Sequence, residues 1–386
     1  MRMVELGEVA AIDRESIIPS GIRAGTKYLG LENVYSDGSA IPVDVDEGEL
    51  LSNKFVFGPN HLLYGKLRPY LNKITLPDFE GICSTDIIPI LPDANKLDKR
   101  YLYYYLRTPW MIETAVKACS GANLPRVDPK LLAKFKIPLP PLPTQRRSAA
   151  VLDKAQALVA NDRRTLAVYD QLAKSLFLEM FGDPVRNERG WPEKPLAEVV
   201  MPDKIITYGI VQAGPPQEDG VPYIRTGDIA NGKILVDRLL RTTTEIAASY
   251  ERSCCSAGDI VMSIRATIGT TAIVPDSLDG VNLTQGTARI SPDHSVVTTE
   301  YLHWAIKSDG IQMKIDREAK GATFREITLT RLRDIPVPVP PLESQCRFSA
   351  MIKSYEVQRD LTETSLRRSE GLFGSLLQGA FSGGLG

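Results

Sequence analysis

The chain is written twice, and that duplication constrains its fold more than any other feature. Residues 121–147 (GANLPRVDPKLLAKFKIPLPPLPTQRR) realign without a gap on residues 321–347 (GATFREITLTRLRDIPVPVPPLESQCR), at an offset of 321 − 121 = 200. Gly121/Gly321, Ala122/Ala322, Leu132/Leu332, Pro138/Pro338, Pro140/Pro340, Pro141/Pro341, Leu142/Leu342, Gln145/Gln345 and Arg147/Arg347 are identical. Upstream, Tyr101-Leu102 falls on Tyr301-Leu302, and near the start the offset shrinks to 195, where Tyr28-Leu29 matches Tyr223-Ile224. Each copy therefore holds a variable module of roughly 140 to 160 residues, a Pro-rich strap and a polar helix of about 38 residues. The expected domains are residues 1–143, 144–182, 183–343 and 344–386, alternately module and helix. A duplicated chain carries a built-in pseudo-two-fold, the symmetry that a two-stranded partner such as DNA presents.

After each strap the pattern changes from alternation to helical spacing. The first stripe reads Leu152, Ala155, Val159, Leu166, Tyr169, Ala173, Leu176 and Met180; the second reads Ile352, Tyr355, Arg359, Thr362, Leu366, Ser369, Phe373, Leu376 and Ala380. Neither is apolar enough to stand alone, so the two should bury against each other. The expectation is an antiparallel coiled coil about 55 Å long at 1.5 Å per residue, acting as a spacer between modules. Its seam comprises Leu152, Val159, Leu166, Tyr169 and Leu176 against Ile352, Tyr355, Leu366, Phe373 and Leu376, with Asp162 and Arg359 as candidates to face each other. The prolines of residues 137–143 and 335–341 predict an extended, rigid joint before each helix, with Thr144 and Ser344 as N-caps.

Within each module, β-rich runs at residues 61–64, 87–91, 205–208, 260–264 and 271–274 alternate with turn signals. A helix is expected over residues 98–117, echoed over 299–316, because Tyr101, Leu102, Tyr105 and Leu106 fall on one face. The fold class is α+β: two duplicated α+β modules separated by the coil. The loops that most resemble recognition elements contain Lys66, Arg68 and Tyr70, matched by Arg265 and Thr267, and Asn123 and Arg126, matched by Thr323 and Arg325. Arg225 and Gln285 are added as candidate DNA contacts. Arg and Lys can pair with guanine, Asn and Gln with adenine, and glycine lets backbone approach phosphate.

Net charge is −1, so charge alone does not identify DNA. Carboxylates cluster at residues 44–49, while arginines recur along the second module from Arg225 to Arg333. No signal-peptide core and no run of eighteen apolar residues is present, which makes the cytoplasm the expected compartment. Cys83, Cys119, Cys254, Cys255 and Cys346 form no Cys-x-x-Cys pair and only three histidines accompany them, so neither zinc nor a disulfide framework is expected. There is no Walker A loop, dinucleotide fingerprint, His-Glu-x-x-His or Asn-Pro-Pro-Tyr tetrapeptide, and no catalytic residue is assigned. One pattern, Pro292-Asp293 followed by Glu318-Ala319-Lys320, mimics a metal-dependent nuclease, but the first copy has Ala118-Cys119-Ser120 in place of its second half.

The double phrase at residues 137–146 and 337–345, each followed by a long polar helix, resembles the specificity subunit of type I restriction-modification enzymes, and the likeness covers the whole chain. It departs from the family's frequent Glu-Gln in reading Thr144-Gln145 and Ser344-Gln345, and it has Cys346 where a basic residue is common. The resemblance implies that each variable module is a target recognition domain reading one half of a split double-stranded DNA sequence. It implies helices that set the gap and dock modification subunits, two by the duplication, which carry the S-adenosylmethionine chemistry, with no cofactor on this chain. Restriction subunits are a further implied partner class, and no membrane is involved. Two other readings stay open to these residues: a coiled-coil scaffold that binds proteins only, and a self-contained nuclease.

Overall fold

The computed structural model describes residues 2–120, 123–321 and 325–382. The chain divides into two compact units, residues 1–164 with 363–386, and residues 165–362. The division falls inside the two long helices, Leu142–Phe181 and Leu342–Ser382, and each unit therefore contains part of both.

In the first unit a four-stranded antiparallel sheet runs in the order Ala10–Ile12, Ile87–Pro92, Leu62–Gly65, Ile74–Thr75. Leu62, Leu63, Tyr64, Ile87, Ile88 and Ile90 are all buried, as expected of strands covered on both faces. A five-stranded sheet runs Ser16–Ile17, Lys54–Phe57, Gly81–Cys83, Thr26–Leu29, Val43–Val45, with one parallel pairing that sets Tyr28 opposite Ile82. The second unit repeats the first sheet as Thr207–Tyr208, Thr287–Ile290, Ile260–Ser263, Thr271–Ile273. Its other main sheet is shorter, Leu240–Thr242, Val221–Ile224, Asn282–Leu283, and keeps the parallel pairing with Tyr223 opposite Asn282.

The single helix expected in each module is two. In the first unit Lys99–Leu106 is followed by Pro109–Lys117, because Pro109 has no N–H to continue the ladder and holds Thr108 extended. In the second, Thr299–Lys307 gives way to Asp309–Glu318 at Ser308, whose hydroxyl caps the new helix at the Ile311 amide. Each strap opens as a strand, Lys136–Pro138 pairing antiparallel with Met3–Glu5 and Pro336–Pro338 with Glu193–Pro195, and the first strap's last residue, Pro143, already lies in the long helix. The N-cap assignment needs correcting. Thr144 and Ser344 lie inside the first turn, and the amides of Thr144 and Gln145 already donate to the Pro141 carbonyl at 2.9 and 3.1 Å. Proline is tolerated this close to a helix start because first-turn amides have no intrahelical acceptor.

Within each unit the two long helices run in opposite directions. In the first unit Tyr104 bridges them, its hydroxyl donating to Asp153 at 2.7 Å and its ring 6.1 Å from Phe373. Further along, Asp162 accepts from Ser365 and Ser369, and Arg163 pairs with Glu370 at 2.7 Å. In the second unit Tyr169 meets Tyr355 at 6.3 Å, Asp170 accepts from Arg359 at 3.0 Å, and Phe177 meets Phe348 at 5.6 Å. Asp162 and Arg359 thus each have partners within their own unit.

Of the expected seam, Leu152 and Ile352 are fully buried in module cores, Val159 is buried, and Leu166, Leu176, Leu366 and Leu376 are half-buried. The sequence stripe misses Phe177, Phe181 and Phe348, which face the module. With Tyr301 they form an aromatic cluster, its closest pair Phe181–Tyr301 at 4.8 Å. In the first unit Phe381 lies 5.1 Å from both Tyr101 and Tyr105. Each module therefore holds the start of its own helix and the end of the other copy's.

Candidate nucleic-acid interface

A buried glutamine ties each module to the first turn of its own long helix. Gln145, with no exposed surface, accepts from the Asp98 amide at 2.8 Å and donates to the carbonyls of Lys96 at 2.9 Å and Pro140 at 2.8 Å. Gln345, equally buried, accepts from Thr298 at 2.8 Å and donates to Val296 at 3.1 Å and Pro340 at 2.8 Å. Beside them the hydroxyls of Tyr101 and Tyr301 donate to the strap carbonyls of Pro138 and Pro338.

On that frame, the first module brings its two candidate loops together. The Lys66 amide donates to the Asp86 carbonyl at 2.9 Å, Val127 donates to the Lys66 carbonyl at 3.0 Å, and Arg68 donates to the Pro125 carbonyl at 2.8 Å. Zipped in this way, Lys66, Arg68 and Arg126 converge, and the Asp86 carboxylate accepts from Arg126 at 3.3 Å with the Lys66 ammonium at 3.7 Å. Two non-glycine residues in left-handed conformation, Arg68 (φ 52°) and Asn72 (φ 51°), bracket the turn Pro69–Leu71. Such backbone persists only where its surroundings over-determine it. It presents Tyr70 at 53% exposure, with Leu71, Asn123 and Leu124 also exposed.

The second module repeats the backbone and changes the side chains. Ile264 donates to Gly286 at 2.9 Å, Ile327 donates to Ile264 at 3.0 Å, and Ala266 takes the left-handed place of Arg68 (φ 58°). Arg265 is opposite Glu326 in the ladder and pairs with it at 2.7 Å. Thr267 is exposed beside it, and Gln285 is half-buried next to Gly286. Arg225 is occupied elsewhere: it makes a bidentate pair, 2.8 Å on each arm, with Asp228, which is 2% exposed, and a further bond to the Arg238 carbonyl. Its guanidinium therefore caps the turn Thr226–Asp228. Arg325 donates to the Asp316 carbonyl and carboxylate. Thr323 lies outside the described residues.

Two carboxylates complete the loops beyond the candidates that donor chemistry picks out. Asp86 and Glu326 hold the loop cations in place, and a search for donors alone passes over them. The sheet register could have found Asp86, since Ile87 opposite Gly65 and Thr287 opposite Ser263 set Asp86 and Gly286 in the same place.

All five cysteines are free, burial pushes the Cys83 thiol up to about 12, and it raises Cys255 as well. His303 is buried, and burial together with the Lys307 ammonium lowers it to about 3. The nuclease-like residues have other tasks: Asp293 accepts from the Ser295 amide and hydroxyl, and Glu318 pairs with Arg331 at 2.8 Å. Among the described residues no group of three His, Cys, Asp or Glu could hold a metal ion, and no helix is long and apolar enough to cross a membrane.

Comparison with known proteins gives a consistent result. The sequence profile described as the type I restriction modification DNA specificity domain matches residues 1–167 and again 205–368. The EcoBI specificity subunit of Escherichia coli is 26% identical over 333 residues, 79% of this chain and 69% of that one. The putative MjaX specificity subunit of Methanocaldococcus jannaschii is 23% identical over 347 residues, covering 85% and 77%. The solved S subunit of the type I restriction-modification system from M. genitalium shares the fold with a TM-score of 0.64 at 13% identity, over 98% of this chain and 96% of that one.

Proposed function

The chain belongs to the type I restriction modification DNA specificity family, and from that premise we propose that it reads a split DNA target, each module reading one half. The observation that carries this is the pair of cross-linked loops. The backbone bonds from Lys66 and Val127 in one module recur from Ile264 and Ile327 in the other, while the side chains they present differ. One scaffold with two sets of side chains is what reading two unlike half-sites requires.

In the first module Lys66, Arg68, Asn123 and Arg126 contact phosphates and base edges with Tyr70 beside them; in the second, Arg265, Thr267, Gln285, Thr323 and Arg325 do so. Arg225, locked to Asp228, acts by holding its turn. Base-edge contacts discriminate by about 1–3 kcal/mol each, and phosphate contacts make binding salt-sensitive. Modification subunits, two in number, dock on the long helices, where Leu158 and Leu372 in the first unit and Leu172, Val357 and Leu361 in the second stand exposed. Those subunits bind S-adenosylmethionine and perform the methyl transfer; this chain is non-catalytic, works in the cytoplasm, and serves restriction subunits as a further partner.

The test is to map methylated bases in cells that make the modification subunits, with and without this chain. A bipartite, asymmetric motif methylated only when the chain is present supports the reading. An unchanged methylation pattern refutes it.

A further inference from the structure

We infer that Gln145 and Gln345 are positioning residues: each fixes the angle of its module on its own long helix, and thereby the half-site spacing that the chain accepts. This rests on the split-target reading above. A primary amide buried without exposure must have its donors and acceptor satisfied or destabilise the fold. Each glutamine meets that demand with partners from separate segments: the amide that opens the module's helix, the carbonyl of the turn before it, and the carbonyl of the strap. Three directional bonds converging on one side chain leave the first turn of the long helix one orientation against the module. The surrounding apolar contacts have no such direction.

A comparison inside the chain isolates the glutamine from its neighbours. Eight residues further along each long helix, about two turns at 3.6 residues per turn, module and helix are also joined by an ion pair, Arg100–Asp153 at 2.7 Å in the first unit and Glu300–Lys353 at 3.0 Å in the second. The charges have changed sides. The cation of each pair stands in solvent, and a pair open to water on one side tolerates that exchange because it contributes little and imposes loose geometry. The glutamine bonds, by contrast, recur atom for atom. Adding one base pair to a gap moves a half-site about 3.4 Å along the duplex and about 35° around it. A module held at one angle rejects that displacement, and a module on a loosened joint follows it.

The experiment uses the full chain in complex with its modification subunits, acting on duplexes that place the two mapped half-sites at the native gap or one base pair shorter or longer. In Gln145→Met and in Gln345→Met the ratio of native-gap to shifted-gap methylation should fall by about tenfold or more, the effect of leaving buried amide partners unpaired. Both half-site sequences should still be read. Phe57→Ala hollows a separate cluster of the first module, with Leu29, Phe55 and Leu63, that contains no residue of the joint or the long helices, and should lower the melting temperature while leaving the ratio unchanged. Tyr101→Phe removes one strap bond and should lower the ratio less; it decides the matter if the methionine variants do not assemble. An unchanged ratio in the glutamine variants that assemble, or in Tyr101→Phe where they do not, overturns the inference. If the unaltered complex ignores the gap or one half-site, the split-target reading itself fails.

Discussion

The two halves of the chain agree at their joints and differ at their loop tips. Around Gln145 and Gln345 the corresponding distances are 2.8 and 2.8, 2.9 and 3.1, and 2.8 and 2.8 Å. At the tips the backbone bonds repeat, but Lys66 and Arg126 around Asp86 become Arg265 against Glu326. Duplication has preserved the frame, where a change would misplace a whole module, and released the side chains that the frame presents.

The largest effects are expected in the aromatic cores that receive the helix ends. Phe181→Ala should destabilise the second unit by about 3–5 kcal/mol, and Phe381→Ala, starting from a half-buried ring, should cost the first unit less. Denaturant unfolding monitored separately in each unit measures both; equal losses would deny the difference in burial.

Acid should separate the two halves next. His303 occupies the place held by Tyr103 in the first copy, whose hydroxyl donates to the Asp37 carbonyl. Its folded value, about 3, lies below the ordinary imidazole value of about 6.5, so the unfolded chain binds the proton first. The stability that neutral His303 permits is complete above about pH 6.5 and is lost as pH falls toward the folded value, reaching about 2 kcal/mol of loss at pH 5. The second unit should weaken over that window in thermal melts, and His303→Phe should remove this dependence.

Smaller effects distinguish the tips. Arg126→Ala should weaken DNA binding across sequences and reduce the salt slope by about one unit. Arg265→Ala, which leaves Glu326 without its partner, should instead act mainly on recognition of one half-site. Binding titrations over a salt series separate the two. Least of all, Asp162→Ala should cost about 1 kcal/mol or less, since it removes only hydroxyl bonds at a half-buried site; a large loss would mean that the polar contacts dominate the helix pair.

The duplication, the straps and the long helices were legible because they rest on identity and periodicity. So were the strands around residues 62–65 and 260–263, whose apolar runs are bounded by turn residues. The break at Thr108 is hidden from periodicity because Tyr101, Tyr105, Ile112 and Val116 keep one helical face across it, although Pro109 marks it. Phe177, Phe181 and Phe348 were missed for a different reason: one stripe was sought for one partner, while each helix end buries a second face against a module. Which cations stay available at the tips could not be read from spacing. Arg225 is committed to Asp228 only because the chain folds back to bring both to one turn.

Whether each module reads its own half of the target is decided by replacing residues 1–143 with the same region of a relative of known specificity and mapping the methylated motif. One half-site should change to the relative's while the other half-site and the gap remain. A motif that changes in both halves, or in neither, would contradict it.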